Sequence, residues 1–179
     1  MAYNSTVVPG YDADLHGDPV WQPSAGVFGG ALGLGGADDY VSTPFILDPL
    51  KGSFSVFAWI QGESPSAVIV SQTNGSGYGD VWLGTDPASG RLMTSLMFIE
   101  LCSEAVVTDN QWHKVGVLCD GNRRHLYVDG NIVAEDGGNT GAVAATGGLH
   151  IGVGKDPQQQ SHCSGLLDDI RIYDRAVEP

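Results

Sequence analysis

The segment WHKVGVLCDGNRRHLYVDGNIVAED, residues 112–136, decides the fold of this chain. Apolar and polar residues alternate through it in short runs, as they do in strands that bury one face. The pairs Asp120-Gly121 and Asp129-Gly130 separate these runs, and Asp-Gly between alternating runs is a strong hairpin signal. The segment therefore predicts three antiparallel strands joined by two tight turns.

The rest of the chain repeats this pattern of short strands and turns. Further strands are predicted at FSVFAWI (54–60), AVIVSQ (67–72), DVWLGT (80–85), RLMTSLMF (91–98), IELCSE (99–104), LHIGV (149–153) and LLDDIRIY (166–173). The 26 glycines among 179 residues suit a chain with many turns. About twelve short strands, without an amphipathic helical stripe, predict one all-β domain of two packed sheets.

Six landmarks occur in order along the chain: GALGLGGADDYV (30–41), FSVFAWI (54–60), WHKVGVLCDG (112–121), LYVDG (126–130), LHIGVG (149–154) and GLLDDIRIY (165–173). Together they resemble the laminin-G-like domains of the concanavalin A-like lectin/glucanase superfamily, in their bacterial form. The resemblance covers roughly residues 26–177. It implies that residues 1–179 form one antiparallel jelly-roll β-sandwich, with strands 38–41 and 166–173 side by side. It also implies a recognition module, most often for carbohydrate.

The net charge narrows the range of partners. The chain carries 21 acidic and 8 basic residues, for a formal charge of −13. Such a surface repels phosphate backbones and anionic headgroups, so neither nucleic acid nor a membrane is an expected partner. It attracts calcium or basic partners, or it simply keeps the protein soluble.

Cysteine usage leaves the redox compartment open. Cys102, Cys119 and Cys163 cannot all pair within one chain, and their spacing is not a zinc pattern. One disulfide with a free thiol and a fully reduced set are both compatible with the sequence.

Two aspartates are expected at the margin of the core. If Ile170 and Ile172 face the core, alternation brings Asp168 to the same face, and Val41 does the same for Asp39. A carboxylate in such a place needs hydrogen bonds, a cation or a metal ion to compensate its charge.

Because the resemblance places their strands side by side, Asp39 and Asp168 are expected to converge. With Asp12 and backbone carbonyls of the glycine-rich loop, they would hold one structural Ca²⁺, which takes six to eight oxygen ligands. The alternative is that Asp168 accepts backbone amides, or pairs with Arg171 or Arg175.

A carbohydrate site needs an exposed aromatic face with polar groups around it. If Val81 and Leu83 face inward, Trp82 faces outward. The ligand-binding residues predicted around this ring are Trp82, Asp80, Tyr78, Asn74 and Arg91. The alternative is that Trp82 is half buried against a neighbouring strand, and Trp59 and Trp112 are assigned to the core.

Catalysis is not expected. The chain lacks the GxSxG, HExxH and GxxxxGKS motifs. Glycoside hydrolysis needs two carboxylates that flank one bond, and the nearest approach to such a pair is Glu100 with Glu104. The sequence therefore predicts a non-catalytic recognition module of an extracellular or surface protein, with a glycan as its partner. The alternative is a structural or protein-docking module that binds a surface protein, such as a virion or surface-layer decoration.

Overall fold

The structure, a computed structural model, describes residues 12–73, 79–96, 99–137, 147–154 and 161–179, and for residues 73, 79 and 80 it describes the backbone alone. Strands account for nearly all the regular structure of these residues. The strands are β1 (Asp14–His16), β2 (Val20–Gly26), β3 (Gly29–Gly35), β4 (Tyr40–Ser42), β5 (Phe54–Gln61), β6 (Val68–Thr73), β7 (Gly79–Thr85), β8 (Arg91–Thr94), β9 (Leu101–Val106), β10 (His113–Cys119), β11 (Arg124–Val128), β12 (Asn131–Asp136), β13 (Leu149–Ile151) and β14 (Ser164–Tyr173). A short 3-10 helix, Pro49–Lys51, follows Asp48, whose side chain accepts from the amide of Leu50. Nothing helical in these ranges has the length and apolar character of a membrane span.

The strands form two seven-stranded sheets. Their orders are β1-β4-β13-β6-β7-β8-β9 in the first sheet and β12-β11-β10-β5-β14-β3-β2 in the second. All the pairings are antiparallel, and β10, β11 and β12 form the two consecutive hairpins that residues 112–136 predicted. The predicted antiparallel jelly-roll sandwich is confirmed.

Apolar side chains from both sheets pack into a core between them. The largest fully buried ones are Trp82, Phe54, Ile69, Leu83, Leu92, Leu96, Leu126 and Leu149. Burial of large apolar side chains is the main favourable term in folding, so this core supplies most of the stability of the sandwich.

The expected pairing of residues 38–41 with residues 166–173 is wrong. β4 lies between β1 and β13 in the first sheet, whereas β14 lies between β5 and β3 in the second. The chain crosses between the sheets after β3, at Gly36, whose φ of 80° suits glycine. Asp39 stabilises this crossing, because its buried carboxylate accepts from the amide of Gly35.

A β-bulge in β7 corrects the predicted orientation of Trp82. Two consecutive residues of β6 pair with Leu83 and Val81, so that Trp82 is an extra residue in the ladder. An extra residue disturbs the alternation of faces. Trp82 packs in the core against Phe54, with ring centroids 4.7 Å apart, and it is 1% exposed. The prediction that Trp82 faces outward is wrong.

A second bulge in β14 corrects the predicted orientation of Asp168. Asp168 and Arg171 are three positions apart, but they pair with Trp59 and Phe57, which are two positions apart. Asp168 therefore lies beside Trp59 on the outer face of the second sheet, while the isoleucines after the bulge pack against the core.

The C-terminal segment, residues 174–178, runs against the outer face of the second sheet. Ser55 donates from its hydroxyl to the carbonyl of Arg175 at 2.8 Å and accepts from the amide of Val177 at 2.7 Å. Beside it lies a second apolar cluster, which is buried although it faces away from the core: Phe57, Leu118 and Tyr127. Burial, together with the charge of Glu178, raises the pKa of Tyr127.

All three cysteines are free thiols. Cys102 is exposed, and Cys119 and Cys163 are buried. Burial raises the pKa of Cys163 to about 12. Of the two possibilities that the sequence left open, the structure has the fully reduced set.

His113, at the start of β10, gives stability a dependence on pH. Its imidazole contacts Asp129 at 2.8 Å and Asp109 at 3.1 Å. Burial alone would lower the pKa of His113, but the hydrogen bonds to these two carboxylates outweigh it and raise that pKa. A raised folded-state pKa adds stability below the unfolded value near 6.5, and this contribution disappears as the pH rises through the folded value.

His113→Ala is therefore expected to lower the free energy of unfolding more at pH 5.5 than at pH 8.5. Because Asp109 and Asp129 are about half exposed, solvent keeps the difference below about 1 kcal/mol. Urea denaturation at the two pH values measures it. The same substitution in an Asp129→Asn background should show a smaller pH difference, and an equal loss at both pH values would contradict the charge interaction.

Candidate functional site

Trp59 lies on the outer face of the second sheet. The alternate residues of β5, from Phe54 to Ile60, point into the core, so Trp59 points away from it. Its neighbours across the sheet are Asp168 on β14 and Lys114 on β10. Trp59 is half-buried, and the prediction that it belongs to the core is wrong.

The turn between β2 and β3 brings a second aromatic ring to Trp59. The amide of Phe28 donates to Oδ2 of Asp168 at 2.9 Å, and Gly29 closes the turn with a φ of 96°. The rings of Phe28 and Trp59 meet edge to face, with centroids 6.3 Å apart and an angle of 74°. Phe28 is nevertheless 66% exposed, so its ring is held in place but remains open to a ligand.

Phe28, Trp59 and Asp168 together are named the Phe28–Trp59 platform. Nε1 of Trp59 is buried and has no hydrogen-bond partner within the described ranges. Oδ2 of Asp168 is occupied by the Phe28 amide, and the structure records no partner for Oδ1 among the residues that it describes. A buried donor without a partner costs about 1–3 kcal/mol, and because Nε1 is closed to solvent, a ligand reaches it only if neighbouring side chains move. An exposed ring beside a free acceptor suits a polyhydroxylated ligand.

The residues predicted to bind carbohydrate do not assemble into a described site. Trp82 is in the core. Asn74 and Tyr78 lie outside the described residues, as does the side chain of Asp80. Arg91 begins β8 and pairs with Glu104 at 2.9 Å, so its charge is already engaged.

The three aspartates predicted to bind calcium do not fit one site. Asp39 accepts from the amides of Asp18 and Gly35, at 2.7 and 2.6 Å. Asp168 instead contacts Phe28, which lies at the other end of β3, about 20 Å from Gly35 at the usual rise of a strand.

Asp12 is exposed and precedes β1. Within the described ranges, no group of three or more histidine, cysteine, aspartate or glutamate side chains is placed to hold a metal. The alternative, in which Asp168 accepts a backbone amide, is confirmed, whereas Arg171 pairs with Asp169. Calcium binding remains a prediction that equilibrium dialysis can test.

A cluster of rings on the first sheet also carries unpartnered polar atoms. His16 stacks on Tyr40, with centroids 4.2 Å apart, and His150 and His162 approach the same tyrosine at 5.9 and 6.3 Å. His150 and His162 each have one buried ring nitrogen without a partner in the described structure. Burial lowers the pKa of His150, so this ring is neutral at neutral pH. The cluster lacks the exposed ring face that the Phe28–Trp59 platform offers.

A family model described as the concanavalin A-like lectin/glucanases superfamily matches residues 34–179. No curated protein sequence matches the chain. The match begins within β3 and includes Trp59 and Asp168, but it leaves out Phe28.

Several solved structures share the fold. Domain 4 of AbnA, an extracellular arabinanase from Geobacillus stearothermophilus, was solved with arabinotriose; it is 18% identical, with a TM-score of 0.67 over 91% of this chain and 78% of that one. The binding domain of botulinum neurotoxin DC, solved in complex with SialylT, is 16% identical, with a TM-score of 0.65 over 94% of this chain and 44% of that one. Domains LG4-5 of the mouse laminin alpha1 chain are 14% identical, with a TM-score of 0.65 over 88% and 44% of the two chains. At these identities the likeness concerns the fold, and this chain spans less than half of the last two.

Proposed function

Because the chain belongs to the concanavalin A-like lectin/glucanases superfamily, we propose that it is a non-catalytic module that binds carbohydrate at the Phe28–Trp59 platform. The observation that carries the proposal is the exposed ring of Phe28, fixed edge to face beside the indole of Trp59 and anchored by Asp168. The module would belong to an extracellular or surface-exposed protein.

Each part of the platform has a role in binding a sugar. The C–H face of a pyranose or furanose ring packs on Phe28, because carbohydrate C–H groups pack well on aromatic faces. The half-buried indole of Trp59 adds a second aromatic surface beside Phe28, and Oδ1 of Asp168 accepts from a hydroxyl. The Asp168–amide bond already holds Phe28, so little conformational entropy is lost when the ligand binds.

Two of the similar structures support this choice of ligand. The AbnA domain was solved with arabinotriose and the neurotoxin domain with SialylT. These ligands are properties of those proteins. They make a glycan a reasonable first probe for this one, since one fold serves many functions.

The experiment is a glycan array followed by calorimetry with the best neutral oligosaccharide, starting from arabinotriose. Phe28→Ala and Trp59→Ala are each expected to weaken binding about tenfold, the loss of one aromatic contact of about 1.4 kcal/mol. Phe28→Ala should leave the unfolding midpoint in urea nearly unchanged, because the side chain is exposed.

Trp21→Ala is the matched control. Trp21 is 60% exposed in the same hairpin, but it pairs with Leu32 and so lies on the other side of the sheet. If Trp21→Ala abolishes binding while Phe28→Ala and Trp59→Ala do not, the platform is not the site.

The alternative function is a structural or protein-docking module, for example on a virion or a surface layer. The hairpin of β2 and β3 favours it, because Val20, Val27 and Phe28 expose apolar surface there. An array without any bound glycan, together with self-association or capture of a defined surface protein that Phe28→Ala weakens, would support this alternative.

A further inference from the structure

We infer that the Phe28–Trp59 platform selects uncharged sugars and rejects sulfated or sialylated ones, with Asp168 as the residue that determines this specificity. The inference rests on the proposed function and adds the class of ligand to it. An anionic glycan needs cations that are free to meet its charges, whereas a neutral glycan needs donors, acceptors and ring faces.

The arginines of the chain are already engaged. Each of the five lies within 4 Å of a carboxylate, in the pairs Arg91–Glu104, Arg123–Glu135, Arg124–Asp136, Arg171–Asp169 and Arg175–Asp174. Lys51 lies 3.8 Å from Asp48. Within the described ranges, which leave out Lys155, every guanidinium already faces a carboxylate, so its charge is partly compensated before an anionic glycan arrives.

Lys114 is the cation nearest to Trp59 across the sheet, and it is directed elsewhere. Its ammonium group lies 5.9 Å above the ring of Phe57, which precedes Trp59 by two residues on the same face of β5. A cation over a ring face is stabilised by about 0.5–1 kcal/mol at an exposed site, so the ammonium group of Lys114 favours Phe57 over the platform.

The charge that does face the ligand is negative. Asp168 lies opposite Trp59 in the ladder, with Oδ2 bonded to the Phe28 amide, in a chain whose formal charge is −13. An anionic group on a bound sugar would meet this carboxylate at short range, where two like charges repel by about 1 kcal/mol or more. The overall charge also slows the approach of anionic ligands at low salt.

The test uses matched pairs of glycans that differ only in charge: lactose with sialyllactose, and N-acetyllactosamine with its 6-sulfated form. Wild-type protein in low-salt buffer is expected to bind each neutral member about tenfold more tightly than its anionic partner. Asp168→Asn keeps an oxygen that accepts from the Phe28 amide, so the turn should persist while the charge is lost. In this variant the ratio should fall to about threefold or less. Asp14→Asn removes the same charge from the opposite sheet and should leave the ratio unchanged.

The outcomes separate this inference from the proposed function. If sialyllactose binds as tightly as lactose, and Trp59→Ala abolishes both, the platform binds glycans but the inferred specificity is wrong. If the Asp168→Asn ratio stays tenfold, or Asp14→Asn lowers it equally, Asp168 is not the determinant. If no glycan depends on Phe28 or Trp59, the proposed function itself fails.

Discussion

Trp82→Ala is expected to lower the free energy of unfolding by about 3–5 kcal/mol, the usual cost of removing a large buried aromatic side chain. The indole is 1% exposed and packs against Phe54 in the centre of the core. Its removal leaves a cavity that the rigid sheets on both sides cannot close. Since domains are stable by only about 5–15 kcal/mol, much of the total is lost.

Urea denaturation, followed by circular dichroism, measures this effect. Trp59→Ala is the matched control, because it removes the same side chain from the outer face of the neighbouring sheet and should cost less. If Trp82→Ala leaves stability within about 1 kcal/mol of wild type, the indole is not in the core. In that case the outward orientation predicted by simple alternation would be the better description.

Arg124→Ala is expected to have a similar effect, about 3–5 kcal/mol, because it removes a fully buried guanidinium and leaves the partly buried Asp136 and two carbonyls without their donor. The guanidinium is 0% exposed. It contacts the carboxylate of Asp136 through two nitrogens, and its Nη1 donates to the carbonyls of Leu96 and Ile99 at 2.6 and 2.8 Å. One side chain therefore ties the edge hairpin of the second sheet to the connection between β8 and β9 in the first.

The control separates the lost charge from the lost contacts. Arg124→Met with Asp136→Leu removes both charges and keeps apolar volume, so it should recover part of the stability. Recovery should be incomplete, because the carbonyls of Leu96 and Ile99 still lack their donor. Urea denaturation of wild type, Arg124→Ala and the double variant gives the comparison. A loss below about 1 kcal/mol for Arg124→Ala would contradict the structural role assigned to this residue.

Local patterns predicted the strands of this chain well, because each strand has its own apolar run and its own turn residues. The run FSVFAWI lies within β5, and the two Asp-Gly pairs lie at the ends of β10 and β11. The strand predicted at RLMTSLMF was too long, because β8 ends at Thr94. There the hydroxyl of Thr94 accepts from the amide of Leu96. The sheet that each strand joins was harder to predict, and β4 and β14 were placed together wrongly.

The faces of Trp82 and Asp168 were predicted wrongly because a bulge interrupts the ladder at each of them. Strict alternation cannot assign Trp82 or Asp168, because each lies at or next to an irregular position. The pair Asp168-Asp169 contained a signal, since aspartate tolerates the left-handed conformation that Asp169 adopts with a φ of 46°. Trp59 was missed for another reason: FSVFAWI is apolar on both faces, and such a run does not distinguish a core ring from a surface one.

The two hydrogen bonds between Ser55 and the C-terminal segment have a consequence for biosynthesis. The two partners are separated by about 120 residues, so β5 leaves the ribosome long before the segment that runs against its outer face. Between the synthesis of Tyr127 and that of Tyr173, which packs against them, Phe57, Leu118 and Tyr127 lack that contact, and exposed apolar surface on a growing chain invites aggregation.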